Sequence, residues 1–279
     1  MRVRWQLNGI EFNGGMVNGA EYVITRETGW SGSAPPPADD GQSEPRVIEL
    51  VGQVYAQDWE ARRRAEHRLA ALAPGTELVE LRCTEETGDL LTLVRRADAT
   101  LVAIRRGGYE LDFSLHLSAP DARKYATTWR RSETPLADDG GGLDFDTDGG
   151  ADFETGGGLD FGEAASTGRA SITNSGTAPT PPVLELHGPL VPPVTISRPD
   201  NGSRLTYLAP IPVGETVVID VGAASVLLDG HTNRRSAAVV HDWDALQIPA
   251  LSTVDFALAH TAAPNPTARL VARARDAYH

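Results

Sequence analysis

Histidines and acidic residues are the side chains of this sequence that could do acid–base or metal chemistry, and their spacing singles out no site. The seven histidines are scattered, whereas a metal or catalytic site needs several such groups at defined spacing. The segment His241-Asp242-Trp243-Asp244 sets a histidine beside two acids, but it lacks an identifiable third group. The 38 acidic residues could supply a carboxylate pair for glycoside hydrolysis, and no pattern marks one.

Motifs with a defined catalytic or nucleotide-binding mechanism are also absent from the sequence. There is no G-x-S-x-G elbow, no H-E-x-x-H pair, no P-loop and no glycine-rich dinucleotide loop after a strand. We therefore predict that the protein is not an enzyme and that it uses no cofactor and no metal.

An acidic repeat with an eight-residue period lies in the middle of the chain, from Gly140 to Glu163, and carries Phe145, Phe153 and Phe161. Nine acids and no lysine or arginine occur between Asp138 and Glu163. A flexible linker is one interpretation, because such a run has little to bury. Extended pieces that dock on another surface, such as a neighbouring subunit, are the second, because a linker needs no regular Phe. Calcium binding is the third, although the calcium-binding Gly- and Asp-rich repeats have nine residues.

Length and composition predict two β-rich domains and argue against several classes of partner. A chain of 279 residues is expected to form two domains. Its net charge of −13 is mostly local, since the remainder of the chain has 29 acids and 25 bases, so we predict no sequence-specific nucleic-acid partner. The only cysteine, Cys83, is predicted to be a buried strand residue. Without a signal-like or membrane-length apolar run, we expect a soluble chain made in the cytoplasm and no membrane partner.

The first half of the sequence predicts an antiparallel sheet. Asn8-Gly9 between two short apolar segments predicts a hairpin with a type I′ turn. Residues 30–44 form a long loop rich in Gly, Ser and Pro, which is typical of a functional or disordered segment. Alternation in the last strand of this half predicts that five residues face the core, namely Tyr109, Leu111, Phe113, Leu115 and Leu117. Further strands are predicted at 20–25, 45–56, 77–85, 90–96 and 100–106.

One helix is predicted in this half, from an N-cap at Asp58 to a stop at Pro74-Gly75. The predicted buried face contains Trp59, Ala65, Leu69 and Leu72. The other face is rich in arginine, which indicates either a solvated surface or a contact with an acidic partner.

The second half changes to short strands separated by Pro and Gly turns, with no predicted helix. Nine strands are predicted, at 169–174, 182–188, 193–198, 203–208, 215–221, 225–229, 236–242, 252–258 and 268–275. This number and spacing of strands predicts a β-sandwich or jelly roll. The fold class is therefore predicted as mainly β.

In order and spacing, segments along most of the chain resemble the distal tail protein of siphophages, the phages with long non-contractile tails. The carrying segments are WQLNGIEFN, GWSGSAPPP, RVIELVGQVYA, LAALAPGTELVEL and LHLSAPDARKY in the first half, and NSGTAPTPPVLELHGPL, VGETVVIDV, LLDGHTNRR and ARLVARARDAY in the second. LHLSAPDARKY resembles the characteristic end of a strand in this family. A contractile-tail or gene-transfer-particle relative would look similar.

The resemblance implies an N-terminal belt domain at 1–137, a β-sandwich or split barrel with one helix, that forms a homohexameric ring. It implies a repeat-bearing connection or arm at 138–166 and a galectin-like β-sandwich at 167–279. The protein would then be a tail-tip or baseplate hub in the virion, with the tail tube, tail-tip and tape measure proteins as partners and DNA passing through the ring. Candidate assembly residues are Pro120, Asp121, Arg123, Lys124, Tyr125, Phe145, Phe153 and Phe161.

The galectin-like resemblance also implies an alternative function, which is binding of host-surface carbohydrate by the second domain. His231, Asn233 and Arg235 alternate as polar residues, similar to the galectin sugar-binding strand. The companion Trp-x-x-Glu-x-Arg segment is missing, because Trp243 is followed by Asp-Ala-Leu-Gln. A turn followed by a strand is a simpler interpretation of this segment.

Overall fold

The computed structural model describes residues 3–32, 44–72, 76–97, 102–137, 166–260 and 267–279. The first ten strands are β1 (Arg4–Leu7), β2 (Ile10–Phe12), β3 (Met16–Val17), β4 (Ala20–Thr28), β5 (Arg46–Ala56), β6 (Val79–Glu85), β7 (Gly88–Arg96), β8 (Val102–Arg105), β9 (Glu110–Ala119) and β10 (Lys124–Ala126). The α-helix α1 spans Trp59–Ala70.

The remaining strands follow residue 129. They are β11 (Arg130–Pro135), β12 (Arg169–Asn174), β13 (Val183–His187), β14 (Val194–Ser197), β15 (Arg204–Tyr207), β16 (Thr216–Asp220), β17 (Ser225–Leu228), β18 (Thr232–Asn233), β19 (Ala238–Val240), β20 (Ser252–Ala259), β21 (Arg269–Ala274) and β22 (Ala277–Tyr278). Two compact units result, one of residues 1–128 with 277–279 and one of residues 129–276. The mainly β fold class is confirmed.

The first unit is built on antiparallel strands in the order β2-β1-β6-β7-β9-β5-β4-β3. Two further edges extend it, since β8 pairs with β9, and β10 pairs with both β7 and β22. The predicted first hairpin is confirmed, because Asn8 and Gly9 both have positive φ, 43° and 77°, as a type I′ turn requires. Position 52 in β5 requires glycine, since a Cβ there would overlap the carbonyl oxygen of Val23.

The helix begins where the sequence predicts, with the Asp58 carboxylate accepting a hydrogen bond of 2.7 Å from the Ala61 amide. Its buried residues are Ala61, Ala65 and Leu69, a stripe with a spacing of four. The prediction that Trp59 lies on this face is wrong, because Trp59 is 56% exposed. It precedes Ala61 by two residues, which places it about 200° around the helix. The helix ends at Ala70, before the predicted stop.

In β9, Leu111, Phe113, Leu115 and Leu117 are buried as predicted. Tyr109 is 46% exposed, so its assignment to the core is wrong. The strand begins only at Glu110, and Tyr109 lies in the preceding turn, beyond the last core side chain of the strand. Cys83 is fully buried in β6, as predicted.

The second unit is a two-layer sandwich. Within the described residues, one sheet has the order β11-β21-β13-β16-β17-β18 and the other β12-β20-β14-β15-β19. Their inward residues form one core that includes Leu184, Ile219, Ile196 and Phe256. All nine predicted strands are present, and two short 3₁₀ helices, at 235–237 and 244–246, add helical turns that the sequence did not predict.

An ion pair inside this unit joins β11 to the chain beyond β21. The Asp276 carboxylate accepts hydrogen bonds of 2.8 Å from both Nε and Nη2 of Arg130, and a third from the Ser175 amide. Hydrogen bonding from Arg130 holds the pKa of Asp276 below its usual value, despite the opposing effect of burial.

Candidate assembly surface

Three of the predicted assembly residues bond to one another at the turn after β9. The Asp121 carboxylate accepts a 2.8 Å hydrogen bond from Arg123 Nε and a 2.5 Å hydrogen bond from the Tyr125 hydroxyl. Burial raises the pKa of Asp121, but the bonds from Arg123 and Tyr125 outweigh it and leave the pKa below its usual value. Pro120 precedes this cluster and is exposed. The turn is therefore held rigid by its own side chains.

Lys124 points into the first unit, where it joins Arg46 in holding the loop after β4. Its ammonium donates to the carbonyl oxygen of Trp30 at 3.2 Å, and only 8% of the residue is exposed. The Arg46 guanidinium, on a residue that is 2% exposed, donates to the same carbonyl and to that of Ala122. Burial and the neighbouring Arg46 lower the pKa of Lys124. The two cations connect the 119–125 turn to the loop at 29–32.

The other predicted site residues divide into described and undescribed groups. Phe145, Phe153 and Phe161 lie outside the described residues. His231 lies in the turn before β18, Asn233 lies on β18, and Arg235 begins the 3₁₀ turn that follows it.

The candidate sugar residues make local contacts in this turn. The Asn233 side-chain oxygen accepts from the Arg235 amide at 2.9 Å, and Arg235 lies over the ring of Trp243 at 4.9 Å. The His231 ring contacts the carbonyl of Asp229. Because β18 has only two residues, the three side chains do not form one row along a strand.

A surface that the sequence analysis missed is the outer face of β4, β5, β9 and β8 in the first unit, which we call the outer face. The core side of β5 carries Ile48, Leu50 and Val54, all fully buried. The opposite side carries Val47, which is 59% exposed, and Tyr55, which is 39% exposed. The solvent side of an antiparallel strand is normally polar, so these two exposed apolar side chains depart from the usual pattern. The sequence RVIELVGQVYA contained this signal.

The outer face continues onto the neighbouring strands. Ile104 of β8 pairs with Asp112 of β9, which in turn pairs with Gln53 of β5, so the three side chains share one side of the sheet. Ile104 is 59% exposed. Gln53 donates to the Asp112 carboxylate at 3.0 Å and accepts from the Tyr55 hydroxyl at 2.5 Å. Ordered polar side chains thus surround exposed apolar ones, an arrangement typical of protein interfaces.

The described residues give little support for a metal site, a reactive thiol or a membrane-spanning helix. No cluster of three or more His, Cys, Asp or Glu among them could hold a metal ion. Burial raises the pKa of the Cys83 thiol, and the nearby Glu85 carboxylate adds to the shift, so the thiolate is disfavoured. In the part of the chain that the structure covers, no helix combines the length and apolar character needed to span a bilayer.

The sequence matches no known family, whereas the fold matches solved structures. No family model matches the sequence, and no curated protein matches it. The fold matches the Dit protein of phage SPP1, described as a paradigm of the hub adsorption apparatus in phages infecting Gram-positive bacteria, with a TM-score of 0.62, 11% identity and 100% of both chains covered.

Two structures of the phage p2 baseplate in its activated conformation, with Sr and with Ca, were also found. They are 10% and 11% identical over 98% of each chain, at a TM-score of 0.49. At the level of the fold, the SPP1 match confirms the resemblance to a phage tail hub protein, since this chain has the fold of the SPP1 Dit protein along its whole length.

Proposed function

We propose that this chain is a structural protein of a phage virion, a hub ring at the distal end of the tail that connects the tail tube to the tail-tip or baseplate proteins. The observation that carries the proposal is the match of both units, over the full length of both chains, to one hub protein. The described residues add exposed apolar side chains on the outer face, Val47, Tyr55 and Ile104, a feature typical of surfaces that contact other proteins.

In this proposal the first unit forms a homohexameric ring, and the outer face is buried against the next copy. Burying Val47, Tyr55 and Ile104 would stabilise the contact between copies by about 25 cal/mol for each Å² of apolar surface removed from water. The salt bridge of 3.3 Å between Arg26 and Glu49, on the same face, would form part of a polar rim. Copies that contact one another through two different surfaces close into a ring when the rotation allows it.

The remaining partners follow from the position of a hub. The tail tube protein, a tail-tip hub protein and the tape measure protein would contact the ring, and DNA would pass through its centre without sequence-specific contacts. The protein would have no catalytic role.

Light scattering of the purified chain, followed by negative-stain imaging, tests the ring. We expect a mass of six chains and a six-fold particle with a central hole wide enough for duplex DNA. The substitution Ile104→Asp would place a charge in the interface and shift the mass toward the monomer. Val213→Asp is the matched control, because Val213 is 73% exposed in the second unit. Rings that tolerate Ile104→Asp would refute the assignment of the outer face, and a monomeric parent chain would contradict self-assembly.

Carbohydrate binding by the second unit is the second proposal, and it has less support. It rests on His231, Asn233 and Arg235, whose polar groups make contacts within their own turn. A glycan array probed with the full chain tests it, and absence of binding to any glycan would remove it.

A further inference from the structure

A cleft in the first unit lies between α1 and the β3–β4 hairpin, on a different surface from the outer face. Its volume is about 410 Å³, within the range of about 300–1,000 Å³ that is typical of binding pockets. Its lining includes Val17, Ala20 and Tyr22 from the hairpin, and Ala61, Arg64 and Ala65 from the helix.

The cleft exists because the residues that face one another across it are small. Ala61 and Ala65 lie one turn apart on α1, and Ala20 faces them from β4. Gly19 brings the hairpin close to the helix, since a Cβ at this position would lie 3.2 Å from that of Ala61. The Gln57 amide donates to the Gly19 carbonyl at 2.9 Å and fixes the approach. These three alanines form the closed floor of the cleft, since each is at most 2% exposed.

The rim of the cleft is cationic and partly apolar. Arg64 is exposed and forms a 3.5 Å ion pair with Glu60 on the same helix, the one ion pair it makes among the described residues. Arg68 also lines the cleft and donates a long bond of 3.4 Å to the Gly9 carbonyl. Val17, which is 42% exposed, continues the apolar surface outward. Such a cleft suits a segment that presents a large apolar side chain next to a carboxylate.

The sequence contains such a segment three times. Each Phe of the acidic repeat follows an aspartate directly, at Asp144-Phe145, Asp152-Phe153 and Asp160-Phe161. The nine acids between Asp138 and Glu163 have no lysine or arginine among them, so they complement the arginines of the rim. A Phe side chain removes about 150–250 Å² of surface from water when it is buried. A solvated linker would have no use for a Phe at regular intervals.

The ends of the repeat-bearing segment show how far it could extend. The described residues that flank positions 138–165 lie close together in the second unit, where the Thr134 and Ser166 hydroxyls are 3.4 Å apart. Half of these 28 residues, fully extended, spans at most about 46 Å. The segment is therefore long enough to extend well beyond the two residues at which it is attached.

We propose that the cleft between α1 and the β3–β4 hairpin of one copy binds an Asp-Phe repeat of residues 140–163 from a neighbouring copy, with the Phe in the cleft and the aspartate at Arg64. The proposal rests on the proposed self-assembly, and it adds a second contact between copies that ties the segment between the two halves of the chain to the ring.

Photo-crosslinking in the full chain tests this docking. A benzoylphenylalanine replaces Phe153, the protein is irradiated, and the products are separated by mass and mapped by peptide mass spectrometry. We expect an adduct at the mass of two or more chains, linked to residues of α1 or the β3–β4 hairpin. Arg64→Glu should reduce its yield about tenfold, because the reversed charge repels the repeat. Arg63→Glu is the matched control, since Arg63 is an exposed arginine on the same helix outside this cleft.

An adduct at the mass of one chain, an adduct that maps to another surface, or no adduct would each overturn the proposal. An equal fall in adduct yield with Arg63→Glu and Arg64→Glu would also overturn the proposal, because it would indicate that the acidic repeat is attracted to the positive charge of the helix and not to this cleft. Negative-stain images of the same sample separate this result from the ring, since intact six-fold particles without the adduct contradict only the docking. The expected adduct without six-fold particles contradicts only the ring.

Discussion

Replacing Arg46 with methionine is expected to lower the free energy of unfolding of the first unit. The guanidinium donates from Nε to the Ala122 carbonyl at 2.8 Å, and from Nη1 to the carbonyls of Gly29 at 2.9 Å and Trp30 at 3.2 Å. One buried side chain thus joins the loop after β4 to the turn after β9, and Arg46 itself lies 76 residues from Ala122 along the chain.

The magnitude follows from what the substitution leaves behind. Methionine keeps the apolar stem, so little packing is lost, but the buried carbonyl of Ala122 and the part-buried carbonyl of Gly29 lose this donor. The Trp30 carbonyl keeps its hydrogen bond from Lys124. Two such losses at about 1–3 kcal/mol each, reduced by relief of the desolvation that lowers the pKa of Arg46, give about 2–4 kcal/mol.

Urea unfolding measures this loss when it is followed by near-ultraviolet circular dichroism. Trp5 and Trp30 contribute a part of this signal that comes from the first unit, because their rings pack edge to face at 5.1 Å and 74° beside the Arg46 contacts. Arg82→Met is the control, since the Arg82 side chain is 40% exposed and its one ion pair among the described residues is with Glu80 two residues away, so the change should cost no more than about 0.5 kcal/mol. A loss for Arg46→Met that is equal to that of the control would refute the structural role given to Arg46.

Three further predictions follow from buried groups. Gly52→Ala should destabilise the first unit by about 1–3 kcal/mol in the same urea assay, because its Cβ would overlap the Val23 carbonyl oxygen, and a neutral result would contradict the packing of β5. Hydrogen bonding from Arg130 lowers the pKa of Asp276 in the folded protein. The ion pair therefore stabilises the fold fully above the pKa of an ordinary aspartate, and this stabilisation is lost as the pH falls through the lowered pKa of Asp276. Asp276→Asn should therefore lower the melting temperature at pH 7 and flatten its fall in acid, and an unchanged acid profile would count against this ion pair. Burial raises the pKa of the Cys83 thiol, so a thiol reagent should label it only after unfolding, and fast labelling of the native chain would show that β6 opens.

Local sequence patterns were sufficient for features that depend on neighbours along the chain. Asn8-Gly9 specified its hairpin because both residues tolerate positive φ, and the alternation in β9 specified which side chains share a face. Asp58 specified the start of the helix because its carboxylate bonds within its own first turn. The order of these segments also carried the resemblance to a tail hub protein, which the structure confirmed for the fold.

Only the tertiary structure determined which distant residues pack against each side of a strand or contact a given side chain. The Lys124 ammonium binds the Trp30 carbonyl, 94 residues away, and no local pattern encodes that contact. The apolar residues on both sides of β5 looked equivalent in sequence, yet one side forms the core and the other, with Val47 and Tyr55, remains exposed. The period of a strand determines which residues share a side, whereas burial depends on which distant strands and helices pack against that side.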